Sequence, residues 1–415
     1  MKILSIETSC DETSIAIVEF KGAKTNPAIE VKSHIITSQE KLHAKFGGVV
    51  PNLAKREHQL NLPPILLQSL KEAKLYNVKL KNCGPRMTPW SHRRGQVLRE
   101  KSELQLKIQN LEKILEREPE LLKIFKKYIL PINPPKIDAI AVTRGPGLEP
   151  ALWVGINFAK ALGYLWKKPV IPVNHMEGHI FSALIEPKKS KFEVRGTKHR
   201  IINLKYPAIA LLVSGGHTEL VYFKKLGKYK IIGETLDDAA GESFDKVARL
   251  LGLGYPGGPI ISRLADKRSD EKIKIVLPRP MIHSKNFDFS FSGLKTAVLY
   301  KLEELKKNYP LKEIRSAVAR EFENAAVEVL VKKTTRAAFA YKVKTVIMGG
   351  GVSANKKLRK ELKNALEKET PGVNFFASNS KLSGDNALII SLPAFVTCKK
   401  IPPDKITADG NLRLT

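Results

Sequence analysis

KILSIETSCDETSIAIVEF (residues 2–20) reads as a strand, a polar turn of small residues and a second strand: KILSI, then ETSCDETS, then IAIVEF. The same order returns at 208–223, as AIALLVS, then GGHT, then ELVYF. Two such hairpins, each opening one half of the chain, predict a duplicated α/β unit rather than a single doubly wound sheet. Their turns carry backbone N–H groups and hydroxyls, the ingredients of a phosphate cradle. A third glycine turn follows a strand in TVIMGGGVSANKKLRKEL (345–362) and leads into a basic amphipathic helix, where helix N-terminal N–H groups can receive an anion. A lone GGG says little, but three such turns in one chain point to a ligand cleft.

With 415 residues, 43% of them hydrophobic, the chain is long enough for two sizeable cores. Its 71 Lys and Arg against 41 Asp and Glu leave a formal charge of +30, which favours a polyanionic partner, nucleic acid first, with a generally basic proteome as the alternative. The three cysteines, Cys10, Cys83 and Cys398, are too scattered for a zinc ribbon or a disulfide framework and fit a reducing cytoplasm. No apolar run approaches the roughly 20 residues of a membrane span, so a soluble, cytoplasmic protein is expected, with no membrane partner.

PVNHMEGHIFSAL (172–184) sets His175 and His179 four positions apart, where an extended apolar run gives way to a helix. Imidazoles at that spacing share one helix face and can reach one cation. Glu177 would point roughly to the opposite side, so the adjacent general base of the zinc peptidases is missing. Spacing alone leaves a metal site and a pair of satisfied surface histidines both open. In DDAAGESFDKVARLLGLGYPGGP (237–259), Asp245 lies on a helix that ends in a rigid Pro-Gly-Gly-Pro corner. In KLSGDNALIISLPA (381–394), Asp385 and Asn386 head an apolar helix, where capping is the ordinary role of an Asp.

The motifs IETSCDETSIAI, HAKFGGVVPNLAKREH, GPGLEPALWVG, VNHMEGH, LLVSGGHTELV, DDAAGESFDKVARLLGL, YPGGP, DFSFSGLKTAV and GGGVSAN, in that order, resemble those of the bacterial tRNA threonylcarbamoyladenosine transferase family (TsaD/Kae/Gcp-like). The resemblance spans nearly the whole chain. It implies a two-lobed actin/Hsp70/sugar-kinase-like (ASKHA) fold with duplicated RNase H-like subdomains and the cleft between them. The implied division is a first lobe over 1–205, a second over 206–385 and a C-terminal segment, 386–415, packing back on the first. The implied reaction moves threonylcarbamoyl from threonylcarbamoyl-AMP to the adenosine next to the anticodon of ANN-decoding tRNAs, releasing AMP. Residue by residue, the resemblance implies one divalent metal per subunit, iron(II) with zinc as the alternative, on His175, His179 and Asp385. Adenylate contacts fall on Leu212, Val213, Ser214, Gly215, Gly216, Asp245, Gly258 and Asn355, and Asp11 and Glu12 are the acid/base assistants. Implied partners are tRNA and TsaB-like and TsaE-like proteins of the bacterial machinery.

Two features depart from the family pattern. Gly384 stands where a threonine usually precedes the metal aspartate, so a hydroxyl that would steady Asp385 is expected to be missing. About 60 residues, from Asn77 to Lys136, intervene between the helix ending in SLKEAKL and the strand beginning at Ile137; they hold fourteen Lys and Arg against six Glu. Within them Leu104, Ile108, Leu111 and Leu115 form one apolar helix stripe, too short for an independent coiled coil, which must dock on the chain itself or on a partner. The expectation is an accessory module at the lobe surface, replaceable by a short linker without loss of metal or nucleotide binding. Three rival functions, a metallopeptidase, a small-molecule carbamoyltransferase and a non-catalytic nucleotide-binding scaffold, are disfavoured by the absent adjacent Glu, the basic charge and the intact His175–His179–Asp385 set respectively.

Overall fold

The computed structural model describes residues 1–24, 27–78, 90–187, 198–267, 273–397, 399 and 401–415, with 90–101 described by backbone alone. Cys83 and Cys398 lie outside the described residues, as does part of the Asn77–Lys136 segment.

Two sheets carry the chain. The first holds β1 (Lys2–Glu7), β2 (Glu12–Lys21), β3 (Ala28–Ser38), β4 (Ala139–Gly145), β5 (Val170–Asn174), β6 (Ile185–Pro187) and β7 (Lys198–Ile201), in the order β5-β4-β1-β2-β3-β7-β6. The second holds β8 (Ala208–Val213), β9 (Thr218–Lys225), β10 (Lys228–Glu234), β11 (Thr345–Gly349) and β12 (Asn374–Ala377), in the order β10-β9-β8-β11-β12. Counted within its own half, each sheet runs third-second-first-fourth-fifth. In both, the first three strands are an antiparallel meander and the last two lie parallel to the first. The duplication expected from the hairpins is thus present strand for strand, and the α/β fold of two repeated units stands. Strands β6 and β7 extend only the first sheet.

Around the sheets pack helices α1 (Glu40–His43), α2 (Pro51–Glu72), α3 (Trp90–Ile114), α4 (Pro119–Tyr128), α5 (Glu149–Trp166), α6 (His175–Ser182), α7 (Ala240–Leu250), α8 (Gly257–Ala265), α9 (Ser292–Leu305), α10 (Leu311–Ala340), α11 (Lys356–Glu369) and α12 (Ala387–Val396). The central strands read as near-continuous apolar runs because they are covered on both faces. Alternate residues of a strand face opposite sides. Leu4 and Ile6 join a core with α2, α4 and α5, whereas Ile3 faces inward. In β8, Ile209, Leu211 and Val213 face the core under α7 to α11, while Ala208, Ala210 and Leu212 face inward. The inward faces share a central core with α6 and α12, which includes Ile180, Phe181, Leu388 and Ile389. The layers are therefore helices, sheet, a pair of helices, sheet, helices.

The segment from Asn77 to Lys136 is less detached than its absence from the motif pattern suggests. Leu111 and Leu115 are fully buried, and with Leu121, Phe125, Ile129 and Ile132 they belong to the outer core of the first sheet. The stripe docks on its own chain through its C-terminal half, while Leu104 at its other end is 47% exposed. Replacing the whole segment with a linker would uncover that core, so the expectation of a dispensable module fails for the residues from Leu111 onward. Leu111→Ala is expected to cost about 2–5 kcal/mol of stability and Leu104→Ala less than about 0.5 kcal/mol, read as shifts in urea midpoint at constant slope.

Candidate metal centre and its glycine turns

Helix α6 begins where β5 ends. Asn174 caps it, its Oδ1 accepting from the backbone N–H of Met176 at 2.9 Å. His175 and His179 then fall one turn apart on the same face, with ring centroids 4.6 Å apart and planes nearly perpendicular. Glu177 points elsewhere, accepting from the Tyr229 hydroxyl of β10 at 2.9 Å.

Asp385 reaches these rings from the far end of the chain. Its Oδ1 lies 3.2 Å from Nε2 of both His175 and His179. One ligand atom from each of the three residues lies within 4.8 Å of the others, the only such metal-competent trio among the described residues. Capping of α12 falls to Asn386 instead, whose Oδ1 accepts from the N–H groups of Leu388 and Ile389, so the Asp385 carboxylate stays available. A methyl group built at Gly384 would meet nothing within 4 Å, so the backbone leaves room for a side chain at this position.

Behind the rings sits Glu7, the buried last residue of β1. Its Oε2 is 3.1 Å from His175 Nδ1 and accepts from Thr143 Oγ1 at 2.6 Å, while its Oε1 accepts from the Ser9 N–H at 2.7 Å. Burial alone would raise the Glu7 carboxyl, but His175 beside it holds it below its ordinary range. Burial likewise opposes ionisation of Asp385, and the two histidines hold it well down. His179 differs: fully buried, it has no hydrogen-bond partner at Nδ1, its Nε2 faces only Asp385, and burial pushes its pKa down. A neutral imidazole with an unused lone pair, one neighbour oriented by a carboxylate and a carboxylate at the third corner is a donor set that suits a divalent transition metal. Among the described residues, no Lys or Arg pairs with Glu7, Asp11, Glu12 or Asp385.

The glycine turns lie beside this centre. The β8–β9 turn closes through Ser214 N–H to the His217 carbonyl at 2.9 Å and His217 N–H to Ser214 Oγ at 3.1 Å. It leaves Gly215 and Gly216 exposed, with open space where side chains would stand. His217 is held near 4, chiefly by burial and further by its nearness to His175 and His179, which ties the turn electrostatically to the centre. Leu212 and Val213 are buried in β8 itself. Where β11 ends, a methyl at Gly349 would come 2.4 Å from the His179 carbonyl, and Gly350, at φ +91°, lies against the Val213 carbonyl. These contacts lock α6, β8 and the GGG turn together.

Asp245 of α7 accepts from the Gly257 N–H at 2.6 Å, holding the Pro-Gly-Gly-Pro corner, and Gly258 faces open space. Burial raises the Asp245 carboxyl. Asn355 is committed to structure: its Oδ1 caps α11 at Leu358, and its Nδ2 donates to Glu323 Oε1 at 2.7 Å and Ser262 Oγ at 3.1 Å. Asp11 is buried at the β1–β2 turn, and burial, then Asp385 and Asp11, drive the Glu12 carboxyl well up. Glu7, Thr143 and Glu323 carried no functional reading in the sequence. Glu7 had a signal: a carboxylate ending an otherwise apolar, buried strand needs a partner.

A family model described as "tRNA N6-adenosine threonylcarbamoyltransferase" matches residues 30–82 and 121–392. A protein of that name from Persephonella marina is 38% identical over 412 residues, covering 99% of this chain and 93% of the relative. One from Thermosipho africanus is 38% identical over 400 residues, covering 96% and 95%. One from Nitrosospira multiformis is 38% identical over 393 residues, covering 94% and 89%.

Gly349→Ala forces a carbon against the His179 carbonyl and is expected to destabilise by about 1–3 kcal/mol. Gly351→Ala, which meets nothing within 4 Å, should change stability by less than about 0.5 kcal/mol. Urea unfolding of the two variants side by side checks the difference.

Proposed function

We infer, from a chain that belongs to the tRNA N6-adenosine threonylcarbamoyltransferase family, that transfer of threonylcarbamoyl to tRNA takes place in the cleft between the two sheets, at His175, His179 and Asp385. The observation that carries this reading is the convergence of the buried His175 and His179 Nε2 atoms on one Asp385 carboxylate oxygen, each 3.2 Å away. These three residues would hold one divalent metal, iron(II) or zinc by donor type. When bound, such a cation supplies fixed positive charge that holds oxygen-rich substrate groups and offsets negative charge developing in the transition state.

The protein's own groups do the remaining work. With its Nδ1 proton directed at Glu7, His175 presents Nε2 toward Asp385, so the second-row carboxylate sets both tautomer and ring orientation. Gly215 and Gly216 offer backbone N–H groups with no side chain in the way, suited to the phosphate of an adenylate, and Gly258, beside Asp245, leaves open space for it. Leu212, Val213 and Ser214 form the strand end that positions this turn, Asp245 is suited to a ribose hydroxyl, and Asn355 fixes the start of α11 beside the GGG turn.

The donor in this reading is threonylcarbamoyl-AMP, made by a separate enzyme. The exocyclic amine of the adenosine next to the anticodon attacks the carbamoyl carbonyl, the bond to the phosphate oxygen breaks, and AMP leaves with the electron pair. The amine proton passes to Asp11 or Glu12. An acyl-phosphate anhydride is already activated, so positioning and charge stabilisation dominate. TsaB-like and TsaE-like proteins are the proposed partners, ANN-decoding tRNAs the acceptors and the cytoplasm the compartment. Among the described residues, no helix is long and apolar enough to cross a membrane.

Transfer of labelled threonine to tRNA, with the donor-forming enzyme added, tests this assignment. His179→Ala should abolish transfer and strip bound metal while the protein stays folded; full activity after dialysis against chelator would refute the metal assignment. Glu7→Gln should weaken metal roughly 10–100-fold without removing a ligand. Gly216→Val should weaken AMP binding by calorimetry at unchanged metal content, and an unaltered affinity would move the phosphate site elsewhere.

A further inference from the structure

Away from the cleft, α5, the C-terminal end of α3 and the residues just beyond each line an open pocket of about 560 Å³, which includes Lys113, Arg117, Trp153, Lys160, Tyr164 and Lys168. The arrangement follows from helix periodicity. Trp153, Asn157, Lys160 and Tyr164 recur at steps of four and three along one face of α5, and Lys113 and Arg117 are one turn apart on the opposing segment. Arg117 and Lys160 lie 5.6 and 5.7 Å from the Trp153 ring centroid. Two carboxylates, Glu116 and Asp404, share the wall, yet none of the four cations is within 4 Å of a carboxylate among the described residues. Lys160 is partly withdrawn from water, and burial lowers its pKa against the pull of Asp404.

We propose that this pocket binds the phosphate backbone of tRNA at a point remote from the reacting adenosine. The inference rests on the tRNA transferase reading and extends it to a second contact. Four cations line one pocket, two of them over the Trp153 ring, in excess of the two carboxylates in its wall; they repel one another, and a polyanion relieves that repulsion while releasing its own counterions. The flanking cations already occupy the indole, which favours phosphate oxygens over a stacked base as the ligand. Arg117 can engage a phosphate bidentately, and the lysines act as point charges.

Helix α5 also fixes where the contact falls. Its first turn abuts the β1–β2 turn, through Leu148 N–H to the Ser9 carbonyl at 2.7 Å and Thr8 Oγ1 to the Ala151 carbonyl at 3.1 Å. Lys160 and Tyr164 lie eleven and fifteen residues along from Glu149, or about 16–22 Å at 1.5 Å per residue. An RNA stem-loop with its loop in the cleft can lay its stem backbone along that length. Lys113 and Arg117 belong to the stretch left unmatched by the family model, which ends at 82 and resumes at 121. This half of the pocket is therefore an addition to the family pattern.

The test uses the full chain and an unmodified tRNA transcript, with affinity measured across salt. The double variant Lys160→Glu/Lys168→Glu should lose about tenfold or more in affinity near 150 mM salt, and its salt slope should fall by about 2. Metal content and AMP affinity should match the parent. Lys160→Arg should bind tRNA as the parent does, and Lys332→Glu, a charge reversal on exposed α10 of the second half, should change affinity less than twofold. Hydroxyl-radical footprinting should show stem-backbone protection that the double variant loses. Parent-like affinity, slope and footprint in the double variant would overturn the pocket alone, and so would intact tRNA binding with lost association of an acidic partner protein. A parent chain with no affinity for tRNA would strike down the transferase reading and the pocket with it.

Discussion

One carboxylate oxygen, Asp385 Oδ1, stands 3.2 Å from two imidazoles that precede it by more than 200 residues, and the chain's course is what makes that approach possible. Helix α12 leaves the second half and returns to lie against α6 and the inner face of β1 and β2. Its start is pinned where the Ala387 N–H donates to Ser14 Oγ of β2 at 3.0 Å. Without that return His179 would face no anion, His175 would keep only Glu7 behind it, and Asp385 would face no cation. Each would be a net cost, because buried polar groups destabilise unless they meet partners.

The same return builds the central layer. Helices α6 and α12 lie between the two sheets, so the histidine helix touches β11 directly, at a distance only glycine permits at position 349. The His175–His179–Asp385 trio and the glycine turns are thereby set against one another by packed backbone rather than by flexible side chains. Rigid elements of this kind place ligand groups with the precision that transfer chemistry needs.

What the sequence disclosed follows how local each signal is. The apolar runs KILSI and AIALLVS, and the repeat of strand, turn, strand, announced the duplication because they are set within a few residues. The His175–His179 spacing was equally local, though it left ligand and surface roles open until Asp385 was placed. The capping role open to Asp385 belongs to Asn386, a distinction of one residue that depends on how the backbone enters α12. Glu7 went unread because its meaning comes from His175, on a neighbouring element. The resemblance marked Asn355 as an adenylate contact but gave no sign of Glu323 and Ser262, from helices the motif does not include, which engage its amide. The apolar stripe at Leu111 and Leu115 showed a docking face clearly, but nothing local could tell which surface would receive it.

The two repeated halves are alike in backbone and opposite in chemistry. Each first hairpin closes through four residues, Thr8–Asp11 in one sheet and Ser214–His217 in the other. A perfect repeat would present identical turns and accept an elongated guest either way round. Here one turn is flanked by Glu7, Asp11 and Glu12, while the other offers bare glycine backbone. The two copies therefore keep one backbone while presenting carboxylates at one turn and unobstructed peptide N–H groups at the other, so the repeat is symmetric in trace and asymmetric in chemistry.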